Sequence, residues 1–223
     1  MSARKKSKSN GLRRPVATAA AMPSSVEPML PTPIKLPFSD PQWIFEPKWD
    51  GFRALCFLKD SQVRFLSRNH RNLTQRFPEL QEISTLIKAK SAIIDGEIVA
   101  LDRSSKPSFD ALRYRQHRGA IVFYAFDLLY FDGEDLSQYP LVARKAALKR
   151  ILRKRPRGRI RYTEHIEEEG ERLFSELEAL QIEGMVCKRK DSVYAFSRSK
   201  QWLKIKTQSG RAEMQKRIET WAK

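Results

Sequence analysis

Short apolar runs of strand-forming residues recur between Arg53 and Lys206, with helical segments inserted irregularly rather than one per strand. A doubly wound parallel sheet needs a crossover helix between successive strands, so the pattern specifies antiparallel sheets flanked by helices, an α+β domain. The strand-like runs are Arg53–Lys59, Gln62–Leu66, Ala92–Leu101, Ala120–Leu129, Arg159–Thr163, Ile182–Arg189 and Trp202–Lys206. The first two read as a hairpin closed by Lys59-Asp60-Ser61. Apolar residues at helical spacing mark Phe77–Lys90, Val142–Leu152 and Gly170–Leu180, the last two with interleaved charge on their outer faces. A groove between sheets is the expected place for a ligand pocket.

The flanks differ in composition. Residues 1–27 carry Arg4, Lys5, Lys6, Lys8, Arg13 and Arg14 among Ser, Ala, Asn and Gly, with no acid before Glu27. Such a segment cannot bury enough apolar surface to fold alone, and it is expected to be a disordered basic arm that holds nucleic-acid phosphates loosely. Mitochondrial targeting peptides share this Arg- and Ser-rich, acid-poor make-up. Pro28, Pro31, Pro33, Pro37 and Pro41 then space out an extended lead-in, which places the start of the folded domain near Pro28. The domain is expected to span 28–207, followed by one short helix, Arg211–Ala222, with Met214, Ile218 and Trp221 on one face.

Charge narrows the partner. The 223 residues hold 43 Lys and Arg against 26 Asp and Glu, a formal net charge of +17, which favours a polyanion: nucleic acid first, an anionic membrane surface second. No apolar run approaches the roughly 20 residues of a membrane span, and the N-terminus lacks a secretory core, so membrane insertion is excluded. Cys56 and Cys187 sit far apart in apolar runs and read as reduced core thiols of a cytosolic protein. His70, His117 and His165 are scattered among polar residues, which argues against a histidine-rich metal site.

Chemistry concentrates in six stations. Glu46-Pro47-Lys48-Trp49-Asp50-Gly51-Phe52-Arg53 sets a lysine beside an Asp-Gly turn just before a strand, and a lysine freed of its proton by cationic or desolvating surroundings is a covalent nucleophile. Ser67-Arg68-Asn69, Ile93-Ile94-Asp95-Gly96-Glu97-Ile98-Val99, Phe123-Tyr124-Ala125-Phe126-Asp127-Leu128-Leu129, Glu183-Gly184-Met185-Val186-Cys187-Lys188 and Trp202-Leu203-Lys204-Ile205-Lys206 follow in order. Lys204, Lys206 and Trp202 alternate along a strand and share one face. Glu97 and Glu183 lie in apolar strands where a carboxylate needs a partner, whether a divalent cation, a ribose hydroxyl or a structural lysine or arginine.

In order and spacing these stations resemble the nucleotidyltransferase motifs of ATP-dependent DNA ligases, above all the bacterial end-joining kind, over roughly residues 25–207. RNA ligases and mRNA capping enzymes share the chemistry. The resemblance implies an adenylation domain of two sheets with ATP in the groove between them. It implies that Lys48 takes AMP as a phosphoramidate, that Lys204 and Lys206 face the α-phosphate and depress the Lys48 pKa, and that Phe126 and Val186 sandwich the adenine. Glu46 then stands near the adenine amino group, Glu97 contacts the ribose and helps hold metal, and Glu183 is a second metal-side carboxylate for Mg2+ or Mn2+. Lys188 and Arg53 are left for phosphate contacts, Arg53 and Arg68 for the 5′-phosphate of the nick, and Asp50 for capping backbone amides of the Lys48 loop. Typical members continue past the last station into a small oligonucleotide-binding barrel, for which about seventeen residues cannot suffice. The expectation is therefore a monomeric, cytoplasmic, nucleoid-associated bacterial enzyme acting on nicked duplex DNA in repair, with its basic surface or a protein partner in place of the barrel. Two alternatives stand beside it: an RNA ligase of the same superfamily, and an inactive ligase-like accessory protein that binds nucleic acid.

Overall fold

The computed structural model describes residues 20–114, 119–153, 155 and 158–221. His117 and most of the basic arm lie outside the described residues. Two sheets face one another. The first runs β1 (Leu30–Pro33), β11 (Arg198–Lys206), β10 (Gly184–Arg189), β2 (Asp40–Pro47), β9 (Ile166–Glu168) in spatial order. The second runs β4 (Gln62–Ser67), β3 (Phe52–Lys59), β5 (Ser91–Ala100), β6 (Ile121–Phe131), β7 (Glu134–Asp135), with β8 (Ile160–Tyr162) also paired to β6. Among the described residues four α-helices accompany them: α1 (Phe109–Tyr114), α2 (Leu141–Ile151), α3 (Gly170–Ala179) and α4 (Gln208–Trp221).

Side-chain alternation builds three apolar layers. On β3, Leu55 and Phe57 join Ile44 of β2, Phe126 of β6 and Trp202 of β11 in the seam between the sheets. Their neighbours Ala54, Cys56 and Leu58 point the opposite way, onto Leu148 and Ile151 of α2 and Leu80, Ile83 and Leu86. Outside the first sheet, Leu173, Phe174 and Leu177 of α3 cover Phe45, Met185 and Ile205. The β3–β4 hairpin turns at Asp60 and Ser61, both at positive φ (48° and 64°), the two-residue geometry that matches strand twist.

Several expectations need correction. The sheets are antiparallel except at β1–β11 and β6–β8, which are parallel. The proline-spaced lead-in contains two strands, β1 and β2; Pro31 and Pro33 are accommodated because β1 is an edge strand. Packing begins before Pro28: the Tyr130 hydroxyl donates to the Ala20 carbonyl at 2.6 Å, and Met22 and Val26 rest on the inter-sheet core. Within Phe77–Lys90 the helical segment is a 3-10 helix, Pro78–Leu86, whose buried Leu80, Ile83 and Leu86 recur every third residue, the period of that helix. On α2, Arg144 and Lys145 are buried rather than on an outer face. Met214 and Ile218 of α4 are exposed, 44% and 51%, and the Trp221 side chain lies outside the described residues. Among the described residues no helix is long and apolar enough to cross a membrane.

Candidate active site

A cavity of about 720 Å³ opens between the sheets, within the size range of small-molecule sites. Strand register assembles its first wall. Val186 of β10 is paired with Glu46 of β2 on one side and Lys204 of β11 on the other, so the three side chains stand in one row and line the cavity. In the next row of that wall Lys188 faces Trp202, which also lines it. The second wall carries Arg53 of β3 directly opposite Glu97 of β5, with Phe126 of β6 beside them. Arg68 stands exposed at the rim, joined by Arg71 and Arg198. Sequence spacing thus brings together Glu46, Lys48, Arg53, Arg68, Glu97, Phe126, Val186, Lys188 and Lys204 around one hollow.

Lys48 sits in the loop between β2 and β3. Its N–H donates to the Gly184 carbonyl at 2.8 Å, and Trp49 stacks on Tyr124 with ring centres 3.9 Å apart. Gly51 brings the loop against β5 so closely that a Cβ would stand 2.1 Å from the Ile98 carbonyl oxygen, which accounts for glycine after Asp50. The Lys48 ammonium donates to Glu183 Oε2, and Lys206 holds Glu183 Oε1 at 2.9 Å. Burial alone would raise the Glu183 pKa, but Lys48 and Lys206 outweigh it and keep the carboxyl below its ordinary value. Lys206 therefore turns to Glu183, whereas Lys204 has no ion-pair partner among the described residues. Burial, then the nearby charges of Lys48, Arg198 and Lys206, hold the Lys204 ammonium below its usual pKa.

Glu46 is clasped from both sides, by Lys145 of α2 at 2.5 Å and Lys188 at 2.7 Å. Burial opposes its ionisation, and the two lysines more than compensate. Lys188, over the faces of Phe126 and Trp202 at 4.2 Å each, is pushed down to about 8 by burial. Arg53 forms a fork with Asp95, both bonds 2.6 Å, and reaches the Met29 carbonyl at 3.1 Å. Tyr194 closes that network by donating to Asp95 at 2.5 Å. Lys145, Asp95, Tyr194 and Arg217 were not singled out by the sequence. For Lys145 a signal exists: Leu141, Arg144, Lys145 and Leu148 fall at i, i+3, i+4 and i+7, one face of a helix.

Asp50 departs from expectation, and the two cysteines match it. Among the described residues Asp50 caps no backbone amide; its carboxylate takes a fork from Arg217 of α4. Cys56 and Cys187 are buried free thiols, as expected, and burial pushes Cys187 up to about 12.

Glu97 tests whether a cation fits. Among the described residues no hydrogen bond or ion pair reaches its carboxylate, and burial pushes its pKa up to about 8. A lone carboxylate facing a cavity is the ligand a hard divalent ion would satisfy. The described residues hold no cluster of three or more His, Cys, Asp or Glu, so phosphate oxygens and water would complete such a shell, as Mg2+ favours.

A lysine among convergent cations, at a cavity between two sheets, is an arrangement suited to a covalent nucleotidyltransferase class of site. Residues 28–206 match the model of the ATP dependent DNA ligase domain. The chain belongs to that family. It is 34% identical over 190 residues to the multifunctional non-homologous end joining protein LigD of Pseudomonas aeruginosa, covering 84% of this chain and 22% of that protein. To the SPbeta prophage-derived DNA ligase-like protein LigB of Bacillus subtilis it is 31% identical, covering 81% and 67%. A solved mycobacterial DNA ligase D complexed with ATP and MES superposes with a TM-score of 0.71 at 31% identity, over 81% of this chain and 60% of that one. The chain thus spans less than a quarter of the Pseudomonas relative's length.

Proposed function

We propose that this domain seals nicked duplex DNA with ATP through a lysyl-AMP intermediate, in the service of DNA repair. The observation that carries the reading is the placement of Lys48, ion-paired to Glu183 at the mouth of the cavity between the row Glu46, Val186, Lys204 and the facing Arg53, Glu97, Phe126. Lys48 Nζ, once deprotonated, attacks the α-phosphorus; the N–P bond forms, the α–β P–O bond breaks and pyrophosphate departs with the electron pair. AMP then passes to a 5′-phosphate oxygen as the P–N bond breaks, and a 3′-hydroxyl displaces AMP to close the backbone.

Each residue has a part that its position suits. Lys204, unpaired and facing the cavity, neutralises phosphate charge, and Lys206 keeps Glu183 oriented on Lys48. Phe126 and Val186 hold the adenine between them, while Glu46 offers a fixed acceptor to its amino group. Lys188 supports Glu46 more directly than it reaches phosphate, and Arg53, with two donors on Asp95, keeps Nη1 for an anion. Glu97 takes the ribose or a divalent cation, and Glu183 would be the second carboxylate; Mg2+ or Mn2+, when bound, would neutralise charge on the triphosphate. Arg68 at the rim suits the 5′-phosphate because its planar fork binds phosphate bidentately.

Relatives that include non-homologous end joining LigD proteins favour a repair role. Incubation with α-labelled ATP and Mg2+, followed by peptide mapping, tests the core of the reading. The label is expected on Lys48 and is expected to leave on addition of nicked DNA with appearance of sealed product. Label on another residue, or label that nicked DNA does not discharge, would overturn it. Nicks with ribonucleotides on the 5′-phosphate side separate the RNA-ligase alternative.

A further inference from the structure

Helix α4 lies beyond the segment covered by the ligase-domain family model, yet it grips the surroundings of Lys48 at both of its ends. At its start, the Thr207 N–H donates to the Glu183 carbonyl at 3.1 Å and the Thr207 hydroxyl to the Ile182 carbonyl at 2.6 Å. Gly210 lies so close that a Cβ would stand 2.0 Å from the Glu183 carbonyl oxygen, so the helix seats on the backbone of the residue that pairs with Lys48. Near its other end, Arg217 holds Asp50 in a fork, Nη1 to Oδ1 at 3.1 Å and Nη2 to Oδ2. The same guanidinium lies 4.0 Å from the Phe109 ring centre, and Phe109 packs edge-on against Phe52 at 5.5 Å. The Lys48 loop is thereby gripped at Asp50 and through Phe52. Beneath this clasp is a second hollow, about 550 Å³, lined by Lys48, Asp50, Glu183 and Arg217.

We infer that Arg217 is a positioning residue for self-adenylation: with Glu183 seated on the first turn of α4 and Asp50 held near its last, the helix sets where Lys48 stands relative to Glu183. The inference rests on Lys48 as nucleophile, as proposed above. An attacking atom must lie in line with the α-phosphorus, and a loop drift of an ångström is enough to slow attack. Sealing of a nick that already carries AMP makes no use of Lys48 as nucleophile. The clasp therefore serves the first step selectively.

Single-turnover AMP labelling across ATP concentrations, run beside sealing of a pre-adenylated nick without ATP, tests this on the full chain. Arg217→Ala is expected to lower the maximal labelling rate about ten- to a hundredfold, to leave the half-saturating ATP concentration within about twofold, and to leave pre-adenylated sealing within about twofold. Arg217→Lys, unable to make two parallel bonds, should fall between. In an Asp50→Ala background Arg217→Ala should add little, because the pair acts as one unit. Labelling by Arg217→Ala within about twofold of wild type, or an equal loss in both steps, would refute the inference; should that variant fail to fold, Arg217→Lys must show the same split at smaller size. A wild-type protein that takes no label on Lys48 would instead sink the functional reading.

Discussion

Two carboxylates in this cleft are each held between two lysines, and their surroundings give the same chemical triad opposite properties. Glu46, Lys145 and Lys188 are each only 2% exposed at the side chain. Glu183 is 7% exposed and its partners Lys48 and Lys206 are 22% exposed. Removing one member of a buried ion pair strands a charge at a cost of about 3–5 kcal/mol, whereas a pair near water parts for about 0–1 kcal/mol. The buried triad is therefore a rigid wall that can present one edge of Glu46 in a constant place. The wetter triad is the more exchangeable one, which suits the role proposed for Lys48, since as nucleophile it would have to leave Glu183 to reach phosphorus.

The sharpest way to break this contrast keeps charge and changes chemistry. Lys48→Arg preserves a cation beside Glu183 but cannot lose its proton to attack, so AMP labelling should fall by at least about 10⁴-fold with melting temperature nearly unchanged. Lys188→Arg adds bulk inside the closed triad and should cost about 1–3 kcal/mol of stability, seen as a lower melting temperature. Labelling of Lys48→Arg at the wild-type rate would remove Lys48 from the mechanism.

Deleting the central carboxylate of each triad should split stability from activity. Glu183→Ala frees two lysines that water can reach; stability should change by about 1 kcal/mol or less, while self-adenylation falls about 10²–10³-fold. Glu46→Ala strands two buried ammonium groups and should cost about 3–5 kcal/mol, a drop of roughly 6–20 °C in melting temperature for a chain of this size. Calorimetry of both variants decides the matter. If Glu46→Ala melts no lower than Glu183→Ala, burial does not distinguish the triads.

The members of the wetter triad were singled out in the sequence one by one but not their ion pairs, and of the buried triad only Glu46 and Lys188 were. Lys48, Glu183 and Lys206 belong to stations with recognisable order, and strand alternation points Lys204 into the cavity as read. Glu46 and Lys188 were singled out, but not their union. Lys145 hides in a helix dense with charge, where Lys149 and Arg150 are exposed and Lys145 is not; its place on the Leu141–Leu148 face signals burial, but its partner Glu46, 99 residues distant, is recorded by no local pattern. β1 and β2 escaped for a similar reason. Prolines argued for an extended lead-in, which is correct locally, but whether an extended segment joins a sheet is decided by a partner over a hundred residues away, here β11 and β10. Arg217 reads as one more cation on a polar helix until its contact with Asp50, 167 residues distant, is seen.

The smallest expected effect concerns Glu97, which belongs to neither triad and shows what a carboxylate here is like without a lysine bonded to it. Burial raises its pKa from 4.5 to about 8 in the folded protein. Between those values the native state binds a proton that the unfolded chain has released, so stability is fully present below about pH 4.5 and declines as pH rises toward 8. Glu97→Gln stays neutral throughout and escapes that decline. The stability of the variant relative to wild type should therefore rise from pH 5 to pH 8, by about 1–2 kcal/mol after allowing for the partly solvated position, read as a growing difference in melting temperature. Adding Mg2+ with ATP should narrow the gap for wild type alone, because a bound cation stabilises the ionised carboxylate that glutamine cannot supply. A melting difference that stays level across this range would mean that Glu97 is already ionised and paired, and the lysine-flanked carboxylates would lose their counter-example.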